Sequence, residues 1–239
     1  MKGRRAAPSR PPGERVLIVT EDTQSSRRYL DAVRVEARLA EARAVIVPGD
    51  GTDPMSVLNT ALDVARSPDG PFDLVFVVVD EDSHTTLAPA LSRIQDLNRE
   101  RDARLADGTL PGPPLVPVVS APCFEYFLLL HFEYTRAEFA RTGRASPCDE
   151  ALKRLKTHLP DYEKSEGYAA SLRERTRADY EKARYHAARS SRDAEQVGRL
   201  HPATELDVVV DVLLHLGAGK TLADFDWGER ATRQAPRSA

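Results

Sequence analysis

Asp73-Leu-Val-Phe-Val-Val-Val-Asp80-Glu-Asp82 is the stretch from which the fold can be read. Six consecutive apolar residues, four of them valine and one aromatic, show no polar alternation, which is the pattern of a strand buried on both faces in a parallel sheet. The run stops on acids. Upstream, Arg15-Val-Leu-Ile-Val-Thr20 has the same character and also stops on acids, Glu21-Asp22. Ser25 or Ser26 can cap a following helix whose stripe is Tyr29, Leu30, Val33 and Leu39. Ala44-Val-Ile-Val47 is a further strand, closed by Pro48-Gly49-Asp50-Gly51. Pro54 then fits the first turn of a helix carrying Val57, Leu58, Leu62 and Val64.

Downstream, a helix is expected from about Leu87 to Leu105, a flexible connection from Ala106 to Pro114, a strand from Leu115 to Val119 and, within the stretch Pro122 to Glu133 that follows, a helix through residue 123 and beyond. Strands alternating with helices predict an α/β fold, a mostly parallel sheet flanked by helices, over residues 14–135. Beyond it the pattern is helical. Pro147, Pro160 and Pro202 mark breaks within an extension, residues 136–229, expected to pack on the core and to close with a helix from Thr204 to Leu216. Residues 1–13 read as a flexible arm and 230–239 as a disordered tail.

The 239 residues carry 34 Lys+Arg against 37 Asp+Glu with 41% hydrophobic residues, the composition of a soluble globular chain. No apolar run approaches the roughly 20 residues of a membrane span. The basic, proline-rich start lacks the apolar stretch of a secretory signal. Two cysteines, Cys123 and Cys148, build neither a disulfide framework nor a C-x-x-C site, so a cytoplasmic protein is expected. A net charge of -3 excludes a surface that grips nucleic acid everywhere, but Arg173 to Arg199 holds an excess of three basic residues. That run fits a solvated helix as well as a phosphate-backbone contact.

In open α/β sheets the functional crevice lies at the carboxyl ends of the strands. Here Glu21 and Asp22 end the first strand and Asp80 and Asp82 the third. Crowded carboxylates are tolerated where a hard divalent cation, Mg2+ or Mn2+, neutralises them, although acids after strands also serve as helix caps. The i, i+2 spacing of Asp80 and Asp82 directs both to one side of an extended segment. Glu125 stands on a helix that is apolar all round, so its carboxylate needs a donor, a cation or a proton inside the fold. A buried arginine or the metal crevice would meet that need. His84 is a candidate ligand, proton shuttle or phosphate contact, or an exposed loop residue. His131 and Cys123 read as packing residues, and Gly217-Ala-Gly219-Lys220-Thr221 reads as a helix C-cap, without the spacing of a phosphate loop.

Val16-Leu-Ile-Val-Thr-Glu21, Asp80-x-Asp82-x-His84, Ser120-Ala-Pro-Cys-Phe-Glu125 running on to Leu130-His-Phe-Glu133, Tyr162-Glu-Lys164 and His201-Pro-Ala-Thr204 occur in an order that resembles RloB-like proteins, over nearly all of residues 14–216. The family's Cys-Glu-Gly after the first strand is Thr20-Glu21-Asp22 here, and its Asn-Pro-Cys-Phe-Glu is Ala121-Pro-Cys-Phe-Glu125. The resemblance implies a Toprim-like core, a place in restriction-modification or abortive-infection loci and an ATPase partner. It also implies Glu21 as acid/base or metal-linked carboxylate and Asp80 and Asp82 as the metal pair. The expected function is a Mg2+- or Mn2+-dependent nuclease acting on DNA or RNA, with Glu21, Asp80 and Asp82 catalytic and Glu125 a further ligand. A noncatalytic sensor or regulatory subunit of a defence ATPase, itself oligomeric or not, is the alternative from another class. A phosphoacceptor receiver-like domain is a third, lacking the lysine after a fifth strand.

Overall fold

The computed structural model describes residues 13–67, 71–82, 85–198 and 202–227. Residues 1–12 and 230–239, which hold nearly all of the expected arm and tail, lie outside them. β1 (Val16–Thr20), β2 (Ala44–Pro48), β3 (Leu74–Asp80) and β4 (Leu115–Ala121) form the parallel sheet the apolar runs require, in the order β2-β1-β3-β4. Between them run α1 (Ser25–Glu36), α2 (Pro54–Ala65) and α3 (Leu87–Ala106). A two-residue strand, β5 (Ala203–Thr204), adds antiparallel to β4, so the fifth strand is too short and of the wrong direction to complete a receiver-like sheet. Its second residue, Thr204, is the one at which the closing helix is expected to start. The closing helix, α8 (Leu206–Gly217), begins after it.

The period of two in each strand divides the core. Leu17, Val19, Val75 and Val77 face Val57, Leu58 and Ile94 of α2 and α3. Val16, Ile18, Phe76 and Val78 face α1 and the helices that follow β4: α4 (Phe124–Leu129), α5 (Pro147–Leu155), α6 (Glu166–Thr176), α7 (Tyr180–Val197) and α8. The result is a sheet between two helical layers, the second thicker than the first.

Local chemistry fixes the helix ends. Asp53 caps α2 by accepting the N–H groups of Met55 and Ser56, and Ser146 and Asp149 form a reciprocal capping box on α5. The cap of α1 is not a serine. Asp22 accepts the N–H groups of Gln24 and Ser26 at 2.7 and 2.8 Å, while Ser25 and Ser26 are the first helical residues. At Gly217 an added Cβ would lie 2.3 Å from the carbonyl oxygen of Ala37, so only glycine lets α8 approach the end of α1 this closely. Gly219, at φ +80, then closes α8 as the expected C-cap.

Cys123 is buried, as its apolar neighbours predict, but it is also bonded to Cys148. The bridge ties the start of α4 to α5 across 25 residues of sequence. Among the described residues no helix is long and apolar enough to cross a membrane.

Candidate functional site

The strand order reverses direction of growth between β1 and β3, and at such a switch point the loops diverge to leave a crevice over the carboxyl ends. Glu21 and Asp80 stand there on adjacent strands. The Glu21 carboxylate accepts the backbone N–H of Asp80 at 3.0 Å, and Glu21 in turn donates its own N–H to the carbonyl of Val78. Asp22 lies beside them with its oxygens engaged in capping α1, which settles that acid as a structural cap whose charge still reaches the crevice.

Asp80 is the electrostatic centre of the group. Its pKa is raised well above the ordinary carboxylate value, first by burial and then by the charges of Glu125, Glu21 and Asp22, with the N–H of Phe124 acting in the opposite sense. Three acids therefore press on a fourth. Asp82 follows after the chain is pinned by N–H bonds from Glu81 to the Ser120 carbonyl and from Asp82 to the Pro122 carbonyl. One Asp82 carboxylate oxygen is buried without a hydrogen-bond partner, the kind of orphaned acceptor that costs about 1–3 kcal/mol unless a cation or water meets it.

Glu125 is buried on α4, as its surroundings in sequence require. Its partner is not a buried arginine. Tyr162 Oη donates to Glu125 Oε1 at 2.9 Å and Lys164 Nζ lies 2.9 Å from the same oxygen. The Tyr162 phenol is pushed up by burial and by Glu125. Burial opposes the charge of Lys164, but the Glu125 carboxylate outweighs it and raises the ammonium's pKa. Half of the Lys164 side chain remains exposed, so this cation faces both the buried acid and solvent. Both residues were visible in sequence only as the Tyr162-Glu-Lys164 motif. Nothing in composition or periodicity joins them to a carboxylate nearly 40 positions away.

Glu21, Asp80 and Glu125 are thus brought together electrostatically, while Asp82, two residues beyond Asp80, is not among the chief charges acting on it. Among the described residues, however, the group whose ligand atoms all lie within 4.8 Å of one another is Cys123, Glu125 and Cys148, in which the two sulfurs are bonded to each other. Glu21, Asp80 and Asp82 do not form such a group. What they share is hard oxygen chemistry, an excess of negative charge and the orphaned Asp82 oxygen. His84 and His201 lie outside the described residues. His131 is a packing residue: its Nδ1 bonds the Phe127 and Leu128 carbonyls and its Nε2 meets Tyr29 Oη at 3.5 Å.

The basic run is mostly spent within the fold. Arg173 and Arg177 meet Glu36, Arg175 meets Asp161, Arg184 meets Asp211, and Arg189 approaches Asp193. Arg173 is buried, which removes it from any nucleic-acid surface. Thr204 of the His-Pro-Ala-Thr segment is buried against the sheet edge, its hydroxyl 2.9 Å from that of Ser120. A family model described as RloB-like protein matches residues 16–213. No curated protein and no solved structure matches the chain.

Proposed function

The chain belongs to the RloB-like protein family, and from that premise we propose that it is a divalent-metal-dependent nucleic-acid phosphodiesterase with a Toprim-like site, serving phage defence or abortive infection beside an ATPase partner. The observation that carries the reading is the convergence of Glu21, Glu125 and Asp22 on Asp80 at the switch point, with an unpartnered carboxylate oxygen on Asp82 two residues further along the chain. Structural acids are placed to relieve one another. These are placed to repel, which a hard cation would reverse.

Glu21, Asp80 and Asp82 would hold Mg2+ or Mn2+, with Glu125 behind them as a further carboxylate. A bound ion of this class polarises the phosphate and stabilises the departing oxygen. Glu21, fixed to the backbone of Asp80, orients the attacking water and takes its proton. Lys164 presents a charge to a phosphate oxygen from the solvent side, and Tyr162 keeps Glu125 from turning away.

The test is cleavage of plasmid DNA and of single-stranded RNA with Mg2+ or Mn2+, with and without the neighbouring ATPase, alongside calorimetric titration of each ion. Asp80→Asn is expected to lower cleavage by at least about 10²-fold and to weaken ion binding while the circular dichroism spectrum is kept. Full activity in that variant would overturn the assignment. A wild type that neither binds the ions nor cleaves, alone or with the ATPase, would make the chain the noncatalytic subunit instead.

A further inference from the structure

At the amino end of the same sheet, a cavity of about 220 Å³ opens between the end of α2, the last turns of α3 and the residues leading into β4. Its lining is divided by chemistry. Leu62, Ala65 and Leu97 supply apolar surface, and Arg66, Arg101 and Arg104 bring three guanidiniums against one carboxylate, Glu100. The wall is held in place by Asn98, whose amide donates to the Leu115 carbonyl at 2.7 Å and accepts the Leu115 N–H at 3.0 Å. Both polar ends of Asn98 are therefore satisfied before any ligand arrives.

The arginines are not satisfied to the same degree. Arg101 uses Nη1 on Asp102 at 2.9 Å, but its Nε is buried with no hydrogen-bond partner. Arg66 approaches Asp63 only at 3.6 Å with both side chains exposed, a weak pair in water, and Glu100 is turned toward Arg93 at 3.7 Å. Arg104 has no ion-pair partner among the described residues. Arg104, exposed at the cavity beside Arg101, offers the planar fork of N–H donors that matches two oxygens of a phosphate.

We propose that this cavity binds a small organic phosphate of mononucleotide size, its phosphate held by Arg101 and Arg104 and its ring lodged on Leu62, Ala65 and Leu97. A bare anion would leave the apolar lining in water, and a neutral ring would leave the guanidiniums uncompensated. The site is separate from the acids at the other end of the sheet, because the seven residues of β3 span roughly 20 Å. It does not depend on the phosphodiesterase reading.

Titration calorimetry on the full chain in EDTA, with adenosine monophosphate, ribose 5-phosphate, inorganic phosphate and adenosine as probes, tests this. Adenosine monophosphate is expected to bind, and each of the other three to bind at least about tenfold more weakly. Arg101→Gln and Arg104→Gln are each expected to weaken the nucleotide by about tenfold, and Asp80→Asn to leave it unchanged. Arg104 is exposed, so its variant answers the question if Arg101→Gln fails to fold. No nucleotide binding at millimolar concentration, equal affinity for inorganic phosphate, or affinity indifferent to both arginine variants would each overturn the proposal.

Discussion

At the carboxyl ends of β1 and β3 three acids converge on Asp80, whereas beneath α1 the buried charge of Arg173 meets a carboxylate, a phenol and two aromatic faces. Arg173 grips Glu36 through two nitrogens, at 2.8 and 3.3 Å, and donates a third bond to Tyr29 Oη at 3.2 Å. Tyr29 continues to His131, whose ring ends on backbone carbonyls. The Arg173 charge has its opposite in Glu36, and none of the side-chain nitrogens and oxygens of Arg173, Glu36, Tyr29 and His131 is buried without a partner. The acids at the sheet end also have partners, Lys164 and the Tyr162 hydroxyl at Glu125 and a backbone N–H at Glu21, yet their charges still converge on Asp80. Both clusters are buried and polar, yet only one lowers the energy of the fold that contains it, and the other marks where binding must supply what folding withholds.

The largest stability effect that follows is on the satisfied side. Arg173→Met keeps most of the side chain's volume but takes from Glu36 its buried partner, leaving it Arg177, and from Tyr29 its donor, and is expected to cost about 3 kcal/mol in urea unfolding. Arg173→Lys should recover only part of this, since an ammonium cannot span both Glu36 oxygens and Tyr29. Ion binding at Asp80 should not change in either variant that folds. A cost under about 1 kcal/mol for Arg173→Met would place the cluster among ordinary surface pairs and dissolve the contrast.

The sequence discloses these two regions unequally. The strands are legible because uninterrupted β-branched runs have few other stable forms, and the acids after β1 and β3 follow directly from where those runs stop. Glu125 is legible as a problem, a carboxylate on an all-apolar helix, but not as its solution, since Tyr162 and Lys164 reach it across a connection with no local signature. The same distance hides the Cys123–Cys148 bond, the Arg173–Glu36 pair and β5, whose two residues are too few for a period. The charge excess from Arg173 onward leaves its use open for the same reason: a count of basic residues along a helix does not reveal the acids that face them from α1 and α8.

The next effect in size separates the clusters by pH. His131 is held at a pKa of about 4, mainly by burial, against 6.5 when unperturbed. Below pH 6.5 the unfolded chain takes up a proton that the folded imidazole refuses until about pH 4. Stability is therefore complete above 6.5 and falls by up to about 3 kcal/mol as the pH drops toward 4. His131→Gln is expected to flatten that part of the profile, measured as unfolding free energy between pH 4 and 7 relative to wild type. An identical slope in both proteins would show that the ring does not titrate as a buried neutral base.

Asp80 should bend the profile the other way. Its folded pKa is raised, so above pH 3.8 the unfolded chain has lost a proton that the folded carboxyl retains, and stability falls as the pH rises through that interval. Asp80→Asn removes the crowding without removing the side chain. In EDTA at pH 7 the variant is expected to melt above wild type, by roughly 2–4 °C for each kcal/mol relieved at this chain length, with the gain vanishing below about pH 3.8 where both states are protonated. Mg2+ should then raise the wild-type melting temperature and leave the variant's where it was, because only the wild type keeps the acid the ion would neutralise. If Asp80→Asn melts below wild type in EDTA, the acids at the sheet end stabilise the fold after all, and their gathering there is no longer evidence of a ligand.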